Sequence, residues 1–503
     1  VHLSRRRAAV IASTVLLGLP FTNAPAHAKP AATPAPKVTV KGATPVAAPT
    51  LASRLAAVKT AKTINYYPAN AGWSKMWTNF DAATVDADMA KADGLGATTA
   101  RAIIFPAAFG YPAPKPEYQA KLAAFVNTAE KHGMNVKFTL FDWWGQYSEV
   151  ANSFNWANNI LKPYRDDPRV ISVELQNEFD ADDIGAVTWA KKIVPLVRAA
   201  YPTMPLTFSV NGEAGAAGMG KIKAAMTANP IDYFDFHFYG NSERALQTIR
   251  QAQATVAPAP MVIGETGLNT LQNTEGEQAA FLARVFQAAT AAGVRSVAPW
   301  TLTDFATGSI PDSGVAKIPA QYNYGLYRAN GTAKAAAAVV KAAWTGAAMP
   351  ATLMDWGFEN STGLTPWRAY LPELGQAVKT QTQAHSGKWS VTLTNTGKTT
   401  AGSPSFRVAP IAPVYSNQKW HAEVWARGNA TTGTTQISLS WFDLEDRWLG
   451  GANSATLPLG TTNWTKLAVD GVAPAGSASM QIHLKSGENK GTVWFDDMLV
   501  TAS

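Results

Sequence analysis

Between Thr63 and Ala343 the chain alternates two hydrophobic patterns. Short apolar, β-branched runs have the near-continuous hydrophobicity of strands buried on both faces. They predict strands over residues 63–67, 98–104, 135–141, 169–176, 205–210, 233–239, 261–265 and 295–300. Between them, longer segments carry apolar residues at helical spacing and end at glycines such as Gly96 and Gly133, predicting helices over 83–95, 118–132, 154–164, 184–201, 221–228, 242–254, 277–292 and 333–343. Eight strand–helix units fit an α/β fold, the closed (β/α)8 or TIM barrel, here assigned to residues 55–345. An open doubly wound sheet is the alternative. Polar residues at the ends of strands two, four, six, seven and eight favour closure.

After Thr345 the helical periodicity stops. Alternating strands are predicted over 389–393, 421–426, 436–441, 465–469, 480–484 and 492–495, separated by turns of Gly, Asn, Ser and Pro. This is the pattern of an all-β sandwich over residues 351–503, long enough for its own core. At the other end, Arg5-Arg6-Arg7, an apolar run over 8–19 and Ala26-His27-Ala28 have the three parts of a signal peptide, residues 1–28. The general secretory route is favoured over the twin-arginine one, and the protein is expected to be secreted. Residues 29–54, rich in Pro, Ala and Thr at their start, are expected to form a disordered linker. No segment predicts a membrane span.

Composition narrows the chemistry. The chain has 503 residues, 47% hydrophobic and 16% charged, as in a globular protein. Three arginines of the formal +8 fall in the leader, leaving +5 without long basic runs, so nucleic acid is not an expected partner. The absence of cysteine excludes disulfides, thiolate nucleophiles and cysteine-bound zinc. Only His132 and His237 of the seven histidines fall in the barrel region, too few for a histidine metal site, and no catalytic cofactor is expected. Gly215–Ile222 nearly matches a phosphate-binding loop, but Ile222 stands where a Ser or Thr hydroxyl would meet magnesium.

Two strand ends carry the candidate chemistry. Strand four runs into Asn177-Glu178, and strand seven ends at Glu265. In a closed barrel these ends share one face, so the two glutamates are expected to meet across a pocket. Facing carboxylates are the equipment for glycosidic bond hydrolysis, with Glu178 as acid/base and Glu265 as nucleophile. Arg101 and Tyr239 are suited to keep Glu265 charged.

The set Arg101, Asn177-Glu178, His237-Phe238-Tyr239, Glu265 and Trp300, each at a strand end and in this order, resembles the clan A glycoside hydrolases, nearest in pattern to the cellulase-like family five. The resemblance implies a retaining mechanism, contact of Asn177 with the sugar 2-hydroxyl, positioning of the acid/base or substrate by His237, and a sugar platform at Trp300. Phe141-Asp142-Trp143-Trp144 follows strand three, where many members have a histidine; Trp143 or Trp144 is a candidate subsite wall or packing residue. Asn65, Asn211 and Asp304 are weaker sugar-contact candidates.

Trp356-Gly357-Phe358-Glu359, Ser386-Gly387-Lys388-Trp389-Ser390, Asn463-Trp464-Thr465 and Val493-Trp494-Phe495-Asp496-Asp497 resemble the CenC-type carbohydrate-binding modules, a galactose-binding-like jelly roll. That resemblance implies a structural calcium held by Glu359 and Asp496, or Asp497 in its stead; plain surface carboxylates are the alternative. Trp367, Trp441 and Trp448 are candidates for stacking on sugar or for core packing. The combined expectation is a monomeric, secreted hydrolase of a β-linked polysaccharide, glucan or mannan. The alternatives are an exo-acting glycosidase or transglycosylase on oligosaccharides, and a non-catalytic carbohydrate-binding surface protein.

Overall fold

The computed structural model describes residues 48–347, 356–359, 367–395, 404–408, 411 and 414–503. The expected signal peptide and residues 29–47 of the expected linker lie outside these. The described end of that linker differs from expectation, because Leu51–Thr60 is a helix. It starts with a reciprocal cap: the Ser53 amide donates to Thr50 Oγ1 and the Thr50 amide to Ser53 Oγ. Its weak periodicity hides it in the sequence; tertiary contacts hold it. Arg54 donates to the carbonyls of Arg165, Asp167 and Thr203, while Val58 and Ala61 pack on Ile171, Tyr233 and Val262.

Nine short parallel strands make eight staves: β1 (Thr63–Asn65), β2 (Thr99–Ile103), β3 (Asn135–Thr139), β4 (Val170–Glu174), the split fifth stave β5 (Leu206–Thr207) and β6 (Ser209–Val210), β7 (Phe234–Phe238), β8 (Met261–Thr266) and β9 (Val297–Pro299). Strands β1 to β5 pair in order, as do β6 to β9, and the break falls at Phe208. The eighth stave meets the first: the Leu302 amide and Thr301 Oγ1 donate to the Asn65 carbonyl at 3.1 and 2.8 Å, and Asn65 Nδ2 donates to Pro299 O at 3.2 Å. A long helix follows each stave, from Ala82–Leu95 to Ala335–Thr345. The closed barrel, not the open sheet, is the architecture.

One helix lies earlier than its pattern predicts. Gly215–Ala225 is helical, so the stretch resembling a phosphate loop is the helix itself, and Lys221 pairs with Asp182 at 2.6 Å. Its glycines read as a loop but serve close packing. A Cβ on Gly218 would fall 3.0 Å from Val210 Cγ1 on the adjacent stave and 2.6 Å from Ala214 Cβ.

The carboxy-terminal part is a sandwich of two five-stranded antiparallel sheets. One has the order β10 (Trp367–Tyr370), β13 (Ser405–Val408), β18 (Ser479–Gly487), β15 (Thr434–Phe442), β16 (Trp448–Asn453). The other runs β11 (Gly375–Thr380), β12 (Ser390–Asn395), β19 (Thr492–Ala502), β14 (Lys419–Asn429), β17 (Thr465–Val472). Alternate residues of β14, Trp420, Ala422, Val424 and Ala426, point inward, as a half-buried strand requires. Trp367 and Trp441 belong to this core, each 2% exposed, which removes them as sugar-stacking candidates; Trp448 is 64% exposed. The sandwich touches the barrel through Arg284 with Asp446 and Arg250 with Glu445 (3.0 Å). No helix among the described residues is long and apolar enough to cross a membrane.

Candidate active site

Four residues other than glycine within residues 48–347 have positive φ: Trp73, Phe141, Trp143 and Glu178. All four belong to the carboxyl-end face of the barrel. Strain of this kind is tolerated where the surroundings over-determine the backbone, commonly at functional sites. At Glu178 (φ 45°) it turns the chain just beyond β4, and the Glu178 amide donates to Ser209 Oγ at 2.7 Å.

That turn brings Glu178 to Glu265. His237, on β7, lies between them: its Nδ1 is 3.4 Å from Glu178 Oε1 and 3.4 Å from Glu265 Oε2. One oxygen of each glutamate and a His237 ring nitrogen all fall within 4.8 Å of one another. The two carboxylates have unlike surroundings. Glu265, on β8, is buried; its Oε1 accepts from Arg101 Nη1 at 2.5 Å and its Oε2 from the Tyr239 hydroxyl at 2.8 Å. The Glu178 side chain is 37% exposed.

Arg101 is the hub. Buried on β2, it donates to Thr139 Oγ1 (2.8 Å), Glu174 Oε2 (3.0 Å), Asn65 Oδ1 (3.0 Å), Glu265 and Asn177 Oδ1 (2.7 Å). Burial opposes its charge, but the carboxylates of Glu174, Glu265 and Asp235 outweigh burial and hold the guanidinium firmly protonated. Burial, then the charges of Glu265 and Glu178, raise the Tyr239 hydroxyl well above its ordinary value, keeping it a donor. For His237, burial favours the neutral ring, but Glu265, Glu178 and Asp235 together raise its pKa.

Asn177 is oriented by its neighbours: Oδ1 accepts from Arg101, and Nδ2 donates to Asp142 Oδ1 at 3.4 Å. Asp142 was not singled out in the sequence, yet it is buried beside the pair and burial pushes its carboxyl up to about 7. An aromatic rim completes the site. Trp300 and Trp143 both meet Trp73, at 5.8 and 6.4 Å between ring centres, the latter stacked. Trp143 is 48% exposed, whereas Trp144 packs on Tyr111 and Phe141. Trp73, the middle of the rim, was also missed; between Gly72 and Ser74 it lies outside every predicted strand and helix, where the pattern carries no signal.

The weaker candidates have structural roles. Asn65 bridges Arg101 to the Gly264 and Pro299 carbonyls, the Ala214 amide donates to Asn211, and Asp304 pairs with Lys334 at 2.8 Å. In the sandwich, Glu359 Oε1 accepts from the Lys388 and Trp389 amides, and Asp496 Oδ2 from the His385 and Ser386 amides. No cluster of three or more acidic or histidine donors forms around Glu359 and Asp496 among the described residues. A structural calcium at Glu359 and Asp496 stays a proposal, which the oxygen donors of the two carboxylates would suit.

No family model matches the chain, and neither does any curated protein. Among solved structures it is similar to the exo-β-1,4-mannosidase Op5Man5 from Opitutaceae bacterium strain TAV5, with 17% identity and TM-score 0.48 over 56% of this chain and 59% of that one. GH5_18 from Streptomyces cattleya in complex with GlcNAc matches with 17% identity and TM-score 0.48 over 58% and 82%. A family 39 glycoside hydrolase from Bacteroides cellulosilyticus WH2 matches with 16% identity and TM-score 0.43 over 84% and 80%. Likeness this distant does not transfer function, so the functional reading rests on the site.

Proposed function

We propose that this chain is a glycoside hydrolase that works by double displacement through Glu265 and Glu178. In particular, we read it as cleaving a β-linked polysaccharide of glucan or mannan type. The observation that carries the reading is the unlike pair: a buried glutamate fixed by a guanidinium and a phenol, facing a partly exposed one across His237.

Arg101 and Tyr239 each donate to one oxygen of the Glu265 carboxylate and orient it for attack on the anomeric carbon. Glu178, open to the cleft, gives its proton to the leaving glycosidic oxygen, and the bond to carbon breaks as the glycosyl–Glu265 ester forms. In the second half Glu178 takes a proton from water, whose oxygen attacks the same carbon and releases Glu265. One oxygen of each glutamate lies within 4.8 Å of the other, a close approach that supports this course, since the carboxyl groups of retaining pairs stand about 5–5.5 Å apart and those of inverting pairs about 6.5–9.5 Å. Trp300, only 7% exposed, is assigned the platform at the cleavage point by the family resemblance, and the more open Trp143, 48% exposed, the support of a chain that continues beyond it. The reading includes export, on residues 1–28, and a sandwich that serves as an accessory carbohydrate-binding module.

The test is hydrolysis of a panel of aryl β-glycosides and β-glucan and β-mannan oligosaccharides by the full chain and by Glu265→Ala. Activity on a β-linked member, lost by about 10⁴-fold or more in the variant, is expected. No activity across the panel, or activity that survives Glu265→Ala, would sink the reading. Product lengths separate cleavage within a chain from release of single sugars at its end.

A further inference from the structure

The two glutamates stand above buried charges that the proposed reaction does not use. Asp235 on β7, Lys137 on β3 and Glu174 on β4 all point into the barrel and are all buried. With the site they form a closed ring. From Glu265 it runs to Arg101 (2.5 Å), from Arg101 Nη2 to Glu174 Oε2 (2.9 Å), and from Glu174 to Lys137 Nζ (3.4 Å). Lys137 then pairs with Asp235 Oδ2, Asp235 Oδ1 lies 3.8 Å from His237 Nε2, and His237 Nδ1 returns to Glu265 at 3.4 Å. Signs alternate all the way round when His237 is protonated.

One junction in the ring is incomplete. Asp235 Oδ1 and His237 Nε2 are both buried without a hydrogen-bond partner among the described residues, and they face each other. Each is costly to leave unpaired, and each can satisfy the other after a shift of about 0.6–1 Å. A second, independent feature concerns the strand that bears Glu265. A Cβ on Gly264 would fall 1.8 Å from Asp235 Oδ1, although the Gly264 backbone is not in a conformation that demands glycine. The residue before Glu265 therefore lacks a side chain where the Asp235 carboxylate lodges.

We propose that Asp235 is a positioning residue: it holds a proton on Nε2 of His237 and so fixes Nδ1 as the ring atom facing Glu178 and Glu265, with Lys137 anchoring Asp235. Its catalytic meaning rests on the glycosidase reading; its geometry does not. The charged groups around the ring are Glu178 from beyond β4, Glu265 on β8 and Asp235 on its own strand, with Glu174 the next carboxylate across the barrel. A carboxylate behind the far ring nitrogen orients an imidazole and raises its basicity, as it does in metal sites and hydrolytic triads.

The experiment is long-range proton–nitrogen NMR of the histidine rings in the full chain, with His237→Gln identifying the signals. Wild type is expected to keep Nε2 protonated throughout, with only Nδ1 titrating. Asp235→Asn is expected to lower the His237 protonation constant tenfold or more, and to reduce kcat on a cleaved aryl glycoside about tenfold while KM changes less than twofold. Should Asp235→Asn not fold, Gly264→Ala displaces the same carboxylate and is expected to move the titration in the same direction. A wild-type ring protonated on Nδ1 alone, or a titration unchanged in both variants, overturns the proposal. Because the NMR result needs no turnover, the proposal stands or falls separately from the glycosidase reading.

Discussion

The barrel and the sandwich bury different things. The sandwich core is apolar, and its buried carboxylates are served by nearby amides: Asp443 by Glu445 and Arg447, whose exposed guanidinium also pairs with it at 2.7 Å, and Asp496 by His385 and Ser386. In the barrel, Arg101, Glu174, Lys137, Asp235 and Glu265 come from five different staves and satisfy one another across the interior. Amide-held carboxylates stiffen turns. Charges paired across a core are different, since removing one partner costs about 3–5 kcal/mol and apolar replacements are often as stable. Stability alone does not call for such a ring, and its contact with the two glutamates supplies the other reason. The backbone repeats the contrast: the strained residues of the barrel crowd one face, while those of the sandwich are scattered from Phe358 to Asp497.

Substitutions can break this contrast. After Glu265→Ala, the largest effect should come from Glu178→Gln, which keeps the shape and removes the transferable proton. Turnover of substrates with poor leaving groups should fall about 10²–10⁴-fold, with little change in melting temperature. Equal loss with activated and unactivated leaving groups would count against Glu178 as the acid. In the sandwich the order reverses. Trp441→Ala should cost about 3–5 kcal/mol in denaturant unfolding, while Trp448→Ala stays within about 0.5 kcal/mol.

A smaller effect should follow from Asp142, whose pKa is near 7 because it is buried. A carboxyl raised in the folded state binds its proton more tightly there than in the unfolded chain. Its stabilising contribution is therefore complete below the unfolded value, about 4, and is lost as pH rises through about 7. Between those limits wild type should lose up to about 1.4 kcal/mol per pH unit relative to Asp142→Asn. Parallel pH profiles for the two proteins would contradict the placement of that carboxyl.

Much of this molecule was legible along the chain, for a physical reason. Strand ends announce themselves where an apolar run stops at a polar pair, as at Asn177-Glu178, so the elements presenting the site could be ordered from local pattern. The ring beneath it could not. Lys137 in NVKFT, Glu174 in VISVE and Asp235 in FDFHF are isolated charges within otherwise buried strands, and the local pattern does not say that they meet one another inside the barrel. Trp367, Trp441 and Trp448 were equivalent in sequence for the same reason, because the register of a sandwich decides which tryptophan faces the core. Gly264 carried a readable trace, a glycine within a buried strand marking close approach, but not the identity of what approaches.

The central claim is that Glu265 forms a bond to the sugar. The direct measurement is mass spectrometry of the full chain after reaction with 2-deoxy-2-fluoro glycosides bearing an activated leaving group, in the sugar series that the hydrolysis panel identifies. The account predicts a mass increase of one fluoroglycosyl unit, located on the peptide that contains Glu265 and absent from Glu265→Ala. Turnover without any adduct, or an adduct on Glu178 or elsewhere, would contradict it.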